Sequence, residues 1–144
     1  MELFLDILKV LVGIIIGPYA FSKCINLREI QIPSSVGEIG YCAFVCSGLE
    51  NISFKAAPRL VSIGGSAFMD CINLSSITIP AGVQTIGNKI FFGCESLSEV
   101  TFAEDSQLST IGAWAFSGCN NLLSIDFPAS VQTIESNMFN GCNN

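Results

Sequence analysis

The chain has 144 residues, half of them hydrophobic and 12% charged, with 12 acidic and six basic side chains, seven cysteines and no histidine. That supplies one continuous core, is too apolar for a disordered chain and suits a single domain. The missing histidine removes His-activated nucleophiles, and a net charge of −6 disfavours nucleic acid, whose phosphates need cationic contacts.

At the N-terminus, Glu2, Asp6, Lys9 and Gly13 are spaced four, three and four apart among Leu, Ile, Val and Phe. This predicts a helix with one narrow polar stripe over residues 1–15. Three roles are open to it. A cap over the first turn of a repeat array is favoured, because an open stack end exposes apolar surface and sheet edges. A secretory signal would lack its basic start and be interrupted by Asp6 and Lys9. A membrane span needs about 20 apolar residues, far more than run here without a break.

From residue 16 onward the chain repeats. Phe21, Phe44, Phe68, Phe91, Phe116 and Phe139 recur every 23 to 25 residues, a period that means a solenoid of stacked units. Five are followed three positions later by cysteine (Cys24, Cys71, Cys94, Cys119, Cys142), and Phe44 is followed after two by Cys46. Leu27, Leu49, Leu74, Leu97 and Leu122 come next, then Ile30, Ile52, Ile77, Val100 and Ile125. Extra length falls at one phase only: Lys55-Ala56-Ala57-Pro58-Arg59 and Ala103-Glu104-Asp105-Ser106-Gln107 stand where another unit has Pro33-Ser34-Ser35. Insertions recurring at one phase mark a surface loop.

Motifs such as Phe116-Ser-Gly-Cys119-Asn-Asn-Leu122, Ile77-Thr-Ile-Pro80 and Ile111-Gly-Ala-Trp-Ala-Phe116 resemble the BspA-type leucine-rich repeats of microbial and protist surface proteins, over roughly residues 16–144. The resemblance implies a right-handed leucine-rich-repeat-like coil, mainly β, with short parallel strands. It also implies a surface or extracellular setting and binding to other macromolecules, while leaving a cytoplasmic location open. With the N-terminal cap, the expected organisation is a helix over residues 1–15 and a solenoid of about five units over 16–144, the last unit incomplete.

Within a unit, Glu29-Ile30-Gln31-Ile32-Pro33 and Ser76-Ile77-Thr78-Ile79-Pro80 alternate polar with apolar, which is strand periodicity closed by a proline that cannot donate to a ladder. The outward set is Glu29 and Gln31, Asn51 and Ser53, Ser76 and Thr78, Glu99 and Thr101, Ser124 and Asp126. A second, weaker strand is expected around Val36 to Ile39 and its counterparts. Gly40, Gly64, Gly87 and Gly112 would then give the next corner its backbone freedom, with Asn26, Asn73 and Asn121 at another corner in positive φ.

Six cysteines read as one phase, a column of buried free thiols acting as small hydrophobes, since parallel side chains hold their Cβ atoms too far apart for the preferred disulfide geometry. Cys42 falls at an outward phase and is the one expected reactive thiol. No closely spaced cysteine pair recurs to suggest zinc, and Glu104-Asp105 falls well short of a calcium shell, so no metal or cofactor is expected. No catalytic constellation is legible and the chain reads as non-enzymatic. Tyr19 and Trp114 interrupt a polar phase two residues before the repeat phenylalanine, making Trp114 a candidate interface anchor. Residues 1–89 hold six acidic and six basic side chains and residues 90–144 six acidic and none basic. These features predict a protein-binding or adhesion module whose polar strand face meets a protein or other macromolecular partner. The alternative is a scaffold or spacer that self-associates through the open C-terminal edge.

Overall fold

The computed structural model describes residues 14–56 and 58–143. Its strands are β1 (Ile14–Ile16), β2 (Glu29–Ile32), β3 (Val36–Ile39), β4 (Asn51–Phe54), β5 (Ser62–Ile63), β6 (Ser76–Ile79), β7 (Thr85–Ile86), β8 (Glu99–Phe102) and β9 (Thr110–Ile111). All pairings are parallel, between the same phase of neighbouring coils, so the chain is a β-solenoid. Most of the expected N-terminal helix, residues 1–13, lies outside the described residues. Its last two positions are corrected: Ile14 and Ile15 are strand, their β-branched side chains suiting the extended backbone of β1.

The weighting of the two strand phases is also corrected. The short Val-x-x-Ile segments form the continuous five-stranded sheet β1-β3-β5-β7-β9, whereas the strongly alternating segments form two separate pairs, β2-β4 and β6-β8. Proline accounts for the interruption. The Lys55 N–H donates to the Ile32 carbonyl at 3.0 Å and the Ala103 N–H to Ile79 at 3.0 Å. At that phase the intervening coil presents Pro80 and the last coil Pro128, which have no N–H to give back to Phe54 and Phe102. Residues 124–127, expected as a further strand, form none.

A third ladder runs along the phenylalanine corner, where sequence periodicity gave only a turn. Phe44, Phe68 and Phe91 donate their N–H groups to Ala67, Ile90 and Ala115 of the next coil at 2.8 to 3.0 Å. Two residues to either side of each phenylalanine the backbone is left-handed: Cys42 and Cys46 at φ 54°, Ser66 and Asp70 at 56°, Lys89 at 57° and Gly93 at 72°. Those residues turn their own N–H groups to the same next coil, as Cys42 does to Gly65 and Asp70 to Phe92. Positive φ therefore sits here, and Asn26, Asn73 and Asn121 are not among the positive-φ residues. Asn121 instead donates its amide to the Glu95 carbonyl of the coil before, at 2.9 Å. The glycine expectation changes as well. Gly40, Gly64, Gly87 and Gly112 are absent from the positive-φ set, but a Cβ on Gly87 would come within 2.3 Å of the Gly65 nitrogen and one on Gly112 within 2.4 Å of the Asn88 nitrogen. They are small because neighbouring coils touch there.

Inside, the phenylalanines superpose. Successive rings lie 5.1, 5.3, 5.7, 5.6 and 5.6 Å apart from Phe21 to Phe139, with interplanar angles of 4° to 18°. Phe44, Phe68, Phe91 and Phe116 are fully buried with Leu49, Leu74 and Leu97, while Phe139 on the last described coil is 38% exposed.

The cysteine column holds five members, not six. Ser47 occupies the sixth place, its hydroxyl 3.4 Å from the Cys71 sulfur, and Cys46 falls one residue short of the column in the left-handed position. All seven thiols are free. From Cys71 onward each thiol of the column donates to the carbonyl of the preceding coil's phenylalanine: Cys71 to Phe44 at 3.1 Å, Cys94 to Phe68 at 3.0 Å, Cys119 to Phe91 at 3.2 Å and half-buried Cys142 to Phe116 at 3.1 Å. That bond explains cysteine over an aliphatic residue of similar size. Burial pushes the Cys71 thiol up to about 11 and Cys119 to about 12, with Cys94 also well above its ordinary value for the same reason. Cys24, on the first coil, is exposed.

Candidate functional site

The outward set of the alternating strands forms a polar ridge. Glu29, Gln31, Asn51, Ser53, Thr78, Glu99, Thr101, Ser124 and Asp126 are exposed and Ser76 is half-buried. Strict register places Glu29 beside Asn51 and Gln31 beside Ser53 on one sheet, and Ser76 beside Glu99 and Thr78 beside Thr101 on the next. The two threonine hydroxyls share a hydrogen bond of 2.8 Å. At the margin, Arg28 pairs with Glu50 at 2.7 Å, and the Ser98 hydroxyl donates to the Ser75 carbonyl at 3.2 Å. The ion pair is well exposed and contributes little to stability; what it does is fix two side chains at the edge of the ridge.

Trp114 is not part of this ridge. It sits in the left-handed corner before Phe116, at φ 62° and half-buried, its N–H bonded to the Ser136 carbonyl at 3.1 Å. Tyr19, at the same phase, is 55% exposed and packs edge-on against Tyr41 at 5.7 Å. Tyr41 was not legible as a site residue, because its phase holds Pro18, Gly65, Asn88 and Ala113 in other coils and carries no repeat signal. The expectation for Cys42 is overturned: the residue is buried at its left-handed corner and offers no accessible nucleophile.

Where β4 and β6 fail to join, the ridge opens into a cleft of about 410 Å³. Ser53, Phe54 and Lys55 line one wall and Ser76, Thr78 and Pro80 the other, with Pro58 at the loop end. The mix of hydroxyls, one ammonium group and apolar side chains suits recognition of an extended chain segment with polar and apolar groups. A second hollow of about 300 Å³, lined by Leu122, Leu123, Ile125, Phe139 and Cys142 among others, lies on the last coil. Among the described residues no group of three or more His, Cys, Asp or Glu side chains converges as a metal site, and no helix is long and apolar enough to cross a membrane. The stacking expected from the sequence holds for the residues of β2, β4, β6 and β8, while Ser124 and Asp126 are exposed but in no strand, and neither the division in two nor the cleft between the halves was foreseen. The proline phase carried that signal.

The BspA type leucine rich repeat region matches this chain in six copies, over residues 13–105 and 61–144. Among solved structures, the leucine rich repeat protein TpLRR of T. pallidum is 34% identical with a TM-score of 0.84, the match covering 91% of this chain and 60% of that one. The pneumococcal vaccine antigen PcpA is also 34% identical, with a TM-score of 0.76, covering 78% of this chain and 28% of that one. A leucine-rich repeat protein of Bacteroides ovatus is 27% identical with a TM-score of 0.58, covering 94% of this chain and 45% of that one. This chain therefore corresponds to less than two thirds of each of these proteins. No curated protein is significantly similar. Matching sequence copies and a matching fold agree: the chain belongs to the BspA type leucine rich repeat family.

Proposed function

We propose that this chain is a binding module that engages a protein or other macromolecule along the polar ridge, with the cleft between β4 and β6 as its central seat. The observation that carries the reading is the register: polar side chains from successive coils stand side by side on a rigid backbone, so many weak contacts act together without each losing its own conformational freedom. The family and its fold are typically non-enzymatic, which supports a binding role. The description of PcpA as a vaccine antigen supports a place at the cell surface and a role in adhesion. Excess negative charge supports a protein partner over nucleic acid.

A second reading, a scaffold that self-associates through its last coil, is favoured by Leu123, 77% exposed, and the half-open Phe139 beside it. One experiment separates the two. Alanine at Glu29, Asn51 and Glu99 should reduce capture of the partners that the unaltered chain retains from a cell extract at least tenfold, while truncation before Phe139 leaves capture intact. Unchanged capture by the alanine variant, with self-association lost on truncation, would transfer the assignment to the scaffold.

A further inference from the structure

We propose that the edge bearing the two long corners is a self-recognition surface, on which a second copy of this chain docks antiparallel so that Lys55 and Arg59 of each copy meet Glu104 and Asp105 of the other. The inference does not use the last coil and shares only Lys55 with the cleft of the polar ridge.

It begins with the alternation of the coils. Short corners carry Pro33-Ser34-Ser35, Pro80-Ala81-Gly82 and Pro128-Ala129-Ser130, and the two coils between them carry five-residue corners. Both long corners are pinned in the same way. Lys55 and Arg59 donate their N–H groups to Ile32 and Ser34 of the preceding coil, at 3.0 Å each, and Ala103 and Gln107 donate to Ile79 and Ala81 at 3.0 and 2.8 Å. Equivalent anchors on equivalent coils put the two corners on one edge of the solenoid, two coils apart, a separation of roughly 10 Å at the usual strand spacing.

On that edge the charges are segregated. The only ionisable side chains in the five corners are Lys55 and Arg59 in the first long one and Glu104 and Asp105 in the second. All four are exposed. Among the described residues none of them forms an ion pair or a side-chain hydrogen bond. The uncharged short corners set no competing field between them. A two-fold axis perpendicular to the solenoid brings each basic corner onto the acidic corner of the other copy, giving two equivalent contacts in one closed dimer. Parallel alignment brings like charge onto like, and a slip by one coil sets each charged corner against a proline corner, so the charge pattern selects both direction and register. Exposed ion pairs are individually weak, so the dimer forms at high local concentration and dissolves in salt.

The test is the mass of the 144-residue chain in solution, by sedimentation equilibrium. At about 0.02 M salt the screening length is roughly 20 Å and at about 0.5 M it is about 4 Å. The weight-average mass should rise with concentration toward twice 15.3 kDa at low salt and return to 15.3 kDa at high salt. The variants Lys55→Glu/Arg59→Glu and Glu104→Lys/Asp105→Lys should each be monomeric alone and associate when mixed, and the fourfold exchange should associate with itself. Lysine is tolerated at position 105, where φ is 57°, since Lys89 adopts the same angle in this chain. Circular dichroism checks that every variant is folded, and neutral Lys55→Gln/Arg59→Gln provides a second loss-of-charge comparison that should reduce association at least fivefold. A monomer at low salt overturns the proposal. So does association that survives in both charge-reversed variants, which would place the contact at the last coil.

Discussion

The two strand faces of this solenoid are made by the same coils, yet one passes its hydrogen bonds through five strands without a gap while the other stops after every second strand. Apolar packing is not the difference, since both phases bury an isoleucine or valine in each interior coil. The difference is one missing N–H every second coil, at Pro80 and again at Pro128. A solenoid can thus keep a rigid spine on one face and, with a single residue type, divide the other into separate platforms with a cleft between them.

If the spine and the phenylalanine column carry the stability, the largest loss comes from cutting the column. Phe68→Ala should cost about 3–5 kcal/mol, measured by urea unfolding with circular dichroism. Next is the spine itself: Gly87→Ala drives a methyl group into the Gly65 backbone and should cost about 2–3 kcal/mol by the same measurement. A third prediction concerns the thiols. The folded values for Cys71 and Cys119, about 11 and about 12, lie above the ordinary 9.0, so the folded chain holds the protonated form more tightly than the unfolded chain. Their stabilisation is complete below pH 9 and is lost as pH rises through 11 to 12, by about 2–3 kcal/mol for Cys71. Urea midpoints at pH 7.5, 9 and 10.5 should be flat over the first interval and fall over the second. The smallest effect sharpens the comparison most directly. Pro80→Ala restores the missing donor and should change stability by no more than about 1 kcal/mol, because the new bond is offset by a looser unfolded chain. The amide at position 80 should nevertheless become protected from hydrogen exchange, as β4 and β6 join and the cleft narrows. An amide at 80 that exchanges as freely as an exposed loop would remove proline as the cause of the division.

Periodicity made the inward column legible, because Phe44, Phe68, Phe91 and Phe116 could bury their rings only against one another. Alternation did the same for the outward ridge. What could not be read from spacing was backbone conformation. Cys42, Ser66, Lys89 and Trp114 share no chemistry, so nothing in their side chains announced a common left-handed turn; that turn is imposed by the ladder on either side of it. Cys42 was misjudged because its phase is outward, with Tyr19 and Lys89 exposed there, while its own small side chain is buried. The glycines were legible as necessary but not for their cause, since crowding between coils is a tertiary property. The cleft required combining a proline's local limitation with the identity of the residue one coil earlier, which no single repeat contains.

The thiol column has a consequence for how such an array fails. While the coils are stacked, the sulfurs of Cys71, Cys94 and Cys119 are sealed beneath the carbonyls they bond and offer no foothold to oxidants or alkylating reagents. Peeling a coil away bares its sulfur, so reagent uptake would count the coils that have come loose, one per thiol. In an oxidising setting the same event would let freed sulfurs cross-link to neighbours, turning a reversible fraying into permanent damage.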